Sequence, residues 1–181
     1  GEFERSFDRL SAGDSVMIAN WFNLYLTDTY SRGRPNDYPY YFEGKRLKDH
    51  AKVREIYIED MRNLAKKLAQ KGINLIFAVD PPVLLREPVA CEAWAHLQTP
   101  ENRSLLCSPD PKVVDQMQKD QLNTFNAIAQ GLPNVFVFDT SDSYLENGRV
   151  KHLLPDGQLR YFDSHHITIS GSRYLSPDFV Q

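Results

Sequence analysis

Short apolar runs alternate with long amphipathic segments along this chain, and this alternation restricts the possible folds more than any other feature. Apolar runs at Val16–Ala19, Ile73–Val79 and Asn134–Asp139 predict buried strands. Amphipathic segments at His50–Lys71 and Pro111–Gln130 predict helices between the strands. Strands separated by long helices pair in parallel through right-handed crossovers. The sequence therefore predicts an α/β fold, a three-layer sandwich around a parallel sheet.

The remaining segments are predicted to be mostly irregular. Residues 30–45 and 81–110 are rich in turn-forming residues and show no clear periodicity, so both are predicted to be loops. A last helix is predicted to begin near Thr168, whose hydroxyl can cap it. In parallel sheets a ligand site lies beyond the carboxyl ends of the strands. Asn20, Asp80 and Asp139 fall at those predicted ends.

Length and composition indicate one globular domain that spans residues 1–181. The chain has 181 residues, of which 41% are hydrophobic and 25% are charged, which is typical of a domain with a buried core. The net charge of −3 disfavours a nucleic-acid-binding protein, because such proteins carry a basic excess or a basic stripe. The apolar runs are too short to span a bilayer.

Two cysteines, Cys91 and Cys107, lie in the second predicted loop. An even count is compatible with one disulfide in an oxidising compartment, and equally with two free thiols. Neither cysteine has a second Cys or His at the usual spacing of zinc ligands, which disfavours a zinc site on them.

The segment most informative about chemistry places Asp163 and His166 three residues apart, directly before the last predicted helix. A carboxylate can orient an imidazole by accepting its Nδ1–H, and the other ring nitrogen can then activate a serine hydroxyl. The alternative is an ordinary structural role, with a helix-capping aspartate and a surface histidine. His165 is adjacent and competes for the role of base.

Asp163-x-x-His166, followed by Ile167-Thr168 and Gly171, resembles the closing block of the SGNH/GDSL hydrolase superfamily. It is most similar to the Asp-x-x-His-Leu-Ser-x-x-Gly ending of SGNH domains that are fused to, or work beside, acyltransferase family 3 membrane proteins. Those proteins O-acetylate bacterial surface sugars. Ile167-Thr168 replaces Leu-Ser, and the Asp-x-x-His spacing favours His166 over His165.

Other segments are similar to the same family. Gly13–Trp21, Phe77–Val83 and Asn134–Asp139 resemble its strands and the segments that follow them. Cys91 and Cys107 fall in the loop where that family carries a cysteine pair, so the resemblance implies a disulfide between them. A second cysteine pair that is frequent in the family is missing here.

The resemblance implies a carbohydrate O-acyltransferase in which Asp163 and His166 are two members of a Ser-His-Asp triad. It implies Asn20 as a candidate oxyanion donor, with Asn36 as a weaker candidate, and no metal or organic cofactor. The implied partners are an acyl donor, a surface glycan acceptor and a membrane acyltransferase domain in the same or a separate chain, at the periplasmic or extracellular face. Alternatives are an esterase or deacetylase of the same superfamily and a non-catalytic module that binds glycan or a partner.

The nucleophile is not evident in the sequence. Gly13-Asp14-Ser15 has the letters of the superfamily motif, but a strand follows it, whereas a nucleophile elbow needs strand, turn and helix in that order. Ser15 is therefore disfavoured. We expect the serine upstream of this sequence, so that the chain lacks the first strand and nucleophile block of its domain.

Overall fold

The computed structural model describes residues 7–19, 22, 26, 29–30, 34–35, 40–95 and 97–179. Its main sheet has three parallel strands, and the second of them along the chain lies in the centre. The strands are β1 (Ser15–Ile18), β6 (Asn74–Ala78) and β7 (Val135–Phe138). The predicted parallel sheet is thus confirmed, with slightly shorter strands than the apolar runs suggested.

Two long helices cover one face of the sheet, namely α1 (His50–Gln70) and α4 (Pro111–Ala129). Both begin at an aspartate cap. The Asp49 carboxylate accepts the Ala51 amide at 2.9 Å, and the Asp110 carboxylate accepts the Lys112 amide at 2.8 Å. These caps explain why both predicted helices begin where the sequence indicated.

The main core lies between this pair of helices and the sheet. Phe77 of β6 stacks on Phe125 of α4 with ring centroids 4.8 Å apart, and neither ring is exposed to solvent. Arg62 of α1 reaches across to the end of α4, where it donates to the carbonyls of Ala127 and Ile128 at 2.9 Å. The two helices are therefore joined by an apolar interface and by a side-chain cap.

The opposite face of the sheet carries the last helix, α5 (Ile169–Phe179). Leu175 of α5 lines a cavity together with Met17 and Ala78, which point away from the main core. This arrangement, with helices on both faces of a parallel sheet, confirms the predicted α/β class. Coverage of this face is incomplete among the described residues, because Met17 is 43% and Phe136 is 50% exposed.

The prediction of a loop over residues 81–110 is wrong. That segment forms two short helices, α2 (Pro88–Ala95) and α3 (Pro100–Cys107), joined by a disulfide between Cys91 and Cys107 with a Cα–Cα distance of 5.8 Å. Helices of eight residues are too short to display a clear period, and they depend on tertiary packing. Both cysteines are buried in a second apolar cluster with Leu84, which the sequence pattern did not reveal.

The loop prediction for residues 30–45 is also wrong in part, because four very short strands lie in or beside this segment. They form two antiparallel pairs, β2 (Thr29–Tyr30) with β3 (Arg34–Pro35) and β4 (Tyr40–Phe42) with β5 (Lys45–Leu47). Strands of two or three residues cannot show the alternation that identifies a strand in a sequence.

Beyond β7 the chain forms a 3₁₀ helix (Ser141–Tyr144) and the hairpin β8 (Leu145–Glu146) and β9 (Arg149–Val150). None of the described helices combines the length and the apolar character that a membrane crossing requires.

Candidate active site

An open cavity of about 630 Å³ lies at the carboxyl end of the sheet. Residues that follow each of the three strands line it, which are Ala19, Asp80 and Thr140. His165 and His166 line the same cavity. Most of its wall is apolar and comes from Met17, Ala78, Val79, Pro81, Val83, Phe138, Ile167 and Leu175. The chain thus brings its closing block to the edge where parallel sheets bind ligands.

Asp163 and His166 form a direct hydrogen-bonded pair at this cavity. Nδ1 of His166 lies 2.7 Å from Oδ2 of Asp163. The backbone amides of His166 and His165 donate to the other carboxylate oxygen at 2.7 and 2.9 Å. The carboxylate therefore fixes both the backbone turn and the imidazole orientation, which is the arrangement that presents Nε2 as a base.

The environment of Asp163 keeps its carboxylate ionised. Burial alone would raise the pKa of Asp163, but hydrogen bonds from the His166 ring and from the amides of His165 and His166 outweigh that effect and lower the pKa to about 2. An ionised carboxylate in this position can stabilise an imidazolium at His166.

The His166 side chain is 67% exposed. Nε2 of His166 has no hydrogen-bond partner in the part of the chain that the structure describes. This nitrogen is available to a group that enters the cavity, whether that group is a substrate or another protein segment.

A network of backbone hydrogen bonds holds the closing block in place. The Phe162 amide donates to the His166 carbonyl at 2.8 Å, which closes a tight turn around the aspartate. The Leu84 amide donates to the Ser164 carbonyl at 2.7 Å, and the Tyr161 hydroxyl donates to the Pro82 carbonyl at 2.8 Å. The segment after β6 thus anchors the turn from a second side.

Thr168 caps α5, as the sequence predicted. Its Oγ1 accepts the Gly171 amide at 2.9 Å and donates to the Leu159 carbonyl at the same distance. This cap fixes the start of α5 at Ile169, three residues after His166.

Arg160 supports this region and was not identified from the sequence. Its side chain is buried, and its guanidinium carbon lies 5.4 Å from the Tyr144 ring centroid and 5.1 Å from the Tyr174 ring centroid. Arg160 also donates to the Ser143 carbonyl. Contacts of this kind join residues far apart in sequence, and no local pattern signals them.

The candidate oxyanion donor Asn20 lies outside the described residues, as does Asn36. Two positions after Asn20 in the sequence, the Phe22 amide donates to Oδ2 of Asp80 at 2.6 Å, and the Asp80 amide donates to Gln121 at 3.2 Å. Asp80 thus ties the backbone at Phe22 to the end of β6.

Other candidates lie away from the pair or beside it. Ser15 begins β1 at the amino end of the sheet, where Asn74 Nδ2 donates to its hydroxyl at 3.5 Å. His152 pairs with Glu92 at 2.6 Å and does not line the cavity. His165 has its ring centroid 4.0 Å from that of His166, and burial lowers the pKa of His165 although Asp163 acts in the opposite direction.

Comparison with known proteins supplies one match over nearly the whole chain. The model of a family described as the SGNH domain (fused to AT3 domains) matches residues 2–181. A search of curated proteins found no significant match. The match agrees with the resemblance of the closing block, and it extends to the strands and the disulfide-linked helices.

Proposed function

Because the chain belongs to the family of SGNH domains fused to AT3 domains, we propose that it supplies the Asp–His half of an O-acyltransferase site. The observation that carries this proposal is the 2.7 Å hydrogen bond between Asp163 and His166 at the carboxyl end of the sheet. The proposed acceptor is a hydroxyl group of a bacterial surface glycan, and the proposed acyl group is acetyl.

In the proposed reaction, Nε2 of His166 accepts the proton of a serine hydroxyl while the serine oxygen attacks the acyl carbonyl of the donor. His166 then gives that proton to the leaving group, and an acyl-serine remains. A glycan hydroxyl next attacks the acyl-serine, and His166 again accepts and returns a proton. Asp163 holds Nδ1–H of His166 throughout, so the ring keeps one tautomer.

We assign the serine to a segment outside this sequence. Ser15 lies at the wrong end of β1 for this role. The apolar side chains of Met17 and Phe136, partly exposed on the sheet face that carries α5, support the packing of a further segment there. Asn20 is the proposed oxyanion donor, since it directly follows Ala19, which lines the cavity.

The proposed compartment is the periplasm or the cell exterior. The buried disulfide between Cys91 and Cys107 supports it, because disulfides persist in oxidising compartments. The proposed partner is the membrane AT3 domain, in the same or a separate chain. The proposal requires no metal or organic cofactor, since the serine, histidine and aspartate carry the whole proton transfer.

Two alternatives keep the same geometry. An esterase uses water instead of the glycan hydroxyl as the acceptor. A non-catalytic module that binds glycan or a partner is favoured by one observation, which is that no serine hydroxyl of the described residues donates to Nε2 of His166.

The test is the substitution His166→Ala in the complete protein with its AT3 domain. Transfer of acetyl to the glycan should fall on the order of a thousandfold, because a positioned base is lost. Acetyl on the isolated glycan is measured by NMR, with His152→Ala as the control. Full transfer by His166→Ala would sink the proposal and favour the binding module. If the unsubstituted complete protein releases acetate in the presence of glycan and forms no acetylated glycan, the protein is an esterase.

A further inference from the structure

We propose that Asp163, His165 and His166 form a binding site for a divalent transition metal of the Zn²⁺ type, and that the bound metal blocks the Asp–His pair. One potential ligand atom from each of the three side chains lies within 4.8 Å of the other two. The metal is an inhibitor and not a cofactor, so the blocking effect rests on the proposed function, whereas the binding does not.

The distances between the ligand atoms are close to those of a tetrahedral metal site. Nδ1 of His166 is 2.7 Å from Oδ2 of Asp163, and Nδ1 of His165 is 3.4 Å from Oδ1. Zinc bonds of about 2.0–2.2 Å place neighbouring tetrahedral ligands roughly 3.3 Å apart. The two measured separations lie on either side of that value, so binding of one ion requires rotation of the side chains, with Nδ1 of His166 moving away from Oδ2.

Both imidazoles present the same nitrogen to the carboxylate, although they belong to adjacent residues. The backbone amides of His165 and His166 donate to Oδ1 of Asp163 and the His166 ring contacts Oδ2, so either carboxylate oxygen exchanges a hydrogen bond for the metal. The 67% exposure of His166 provides a path of entry, and solvent can supply the fourth ligand. Two imidazoles and one carboxylate select zinc, copper or nickel over magnesium, which prefers oxygen ligands.

A metal at Nδ1 of His166 changes which nitrogen of the imidazole ring carries the proton. In the Asp163–His166 pair the ring proton is on Nδ1, and Nε2 holds the free lone pair. Coordination of Nδ1 displaces that proton, which passes through solvent to Nε2, with no net uptake or release. Nε2 then carries a hydrogen and cannot accept the serine proton. The bound metal therefore holds the pair in an inactive tautomer.

Binding is tested by calorimetric titration of Zn²⁺ into the purified 181-residue chain, with Mg²⁺ at equal concentration as a control. We expect saturable one-to-one binding of Zn²⁺ and none of Mg²⁺. His165→Ala should weaken Zn²⁺ binding at least about tenfold, since one of three ligands is lost, whereas His152→Ala should leave it within twofold. The absence of saturable Zn²⁺ binding, or equal affinity in His165→Ala, overturns the proposal.

A measurement on the unsubstituted chain avoids dependence on a variant that fails to fold. In ¹⁵N-labelled protein, Zn²⁺ should shift the Nδ1 resonances of both His165 and His166 and leave His152 unchanged. Binding without those shifts also overturns the proposal.

Inhibition is tested separately, in the complete protein. Zn²⁺ should suppress acetyl transfer, and His165→Ala should need at least about tenfold more Zn²⁺ for half-inhibition of its own metal-free rate. If His166→Ala retains acetyl transfer while the unsubstituted chain binds Zn²⁺ as expected, the proposed function fails and the proposal of a metal site stands. If transfer requires His166 but Zn²⁺ does not bind, only the metal site fails.

Discussion

Two segments of the chain resemble motifs of the SGNH/GDSL superfamily, Gly13-Asp14-Ser15 and Asp163-x-x-His166. The structure places these two segments at opposite ends of the sheet. In Gly13-Asp14-Ser15, the Asp14 carboxylate accepts the nearby Ser11 amide at 2.8 Å, and Ser15 pairs with Asn74 at the start of β1. In the closing block, Asp163 binds two amides and also the His166 ring at the cavity. The end of the sheet at which a motif lies therefore decides whether its side chains can act at the cavity.

The largest effect expected from this comparison concerns the two aspartates. Asp163→Asn in the complete protein should lower kcat/KM for acetyl transfer at least about a hundredfold, because an amide no longer fixes the reactive tautomer of His166. Asp14→Asn, the matched change at the other end of the sheet, should alter kcat/KM less than about twofold, since it removes only a local turn contact. Equal losses in the two variants would contradict the distinction between the segments.

Gly13 and Gly171, the glycines of the two segments, are constrained for different reasons. We therefore expect a smaller difference between them, in the free energy of unfolding. A Cβ on Gly171 would lie 2.5 Å from the Arg160 carbonyl oxygen, so Gly171→Ala should destabilise the fold by about 1–3 kcal/mol through overpacking. A Cβ on Gly13 would meet no atom of the described residues within 4 Å, but the φ of Gly13 is +93°, so Gly13→Ala should cost about 1 kcal/mol in backbone strain. Urea denaturation midpoints measure both, and a larger loss for Gly13→Ala would reverse the comparison.

The smallest effect on acetyl transfer and on stability is expected at Ser15, the serine of the Gly13-Asp14-Ser15 segment. Ser15→Ala should leave acetyl transfer within about twofold and stability within about 0.5 kcal/mol, because its contact with Asn74 is long and exposed. Transfer kinetics of the complete protein and thermal unfolding provide the measurements. A thousandfold loss of acetyl transfer in Ser15→Ala would indicate that Ser15 is the nucleophile and that the active site lies at the amino end of β1.

The sequence predicted the elements with clear periodicity and missed those without it. β6, β7, α1 and α4 bury continuous apolar faces, so their period and their caps are visible along the chain. α2 and α3 are only eight residues each, and their stability depends on a buried disulfide and on residues distant in sequence. Arg160 could not be predicted either, because the aromatic rings beside it come from other elements.

At the candidate site, the Asp-x-x-His spacing determined which two side chains could pair, since three residues of separation allow one turn to present both. Only the tertiary structure decided that His166, hydrogen-bonded to Asp163, lines the cavity and that Ser15 does not. The reason is that the distance along the chain fixes local contacts, whereas the end of the sheet that a residue occupies depends on strand pairing. The parallel register of β1, β6 and β7 sends their carboxyl ends to one edge, and the turn anchored by Leu84 and Tyr161 carries the imidazole there.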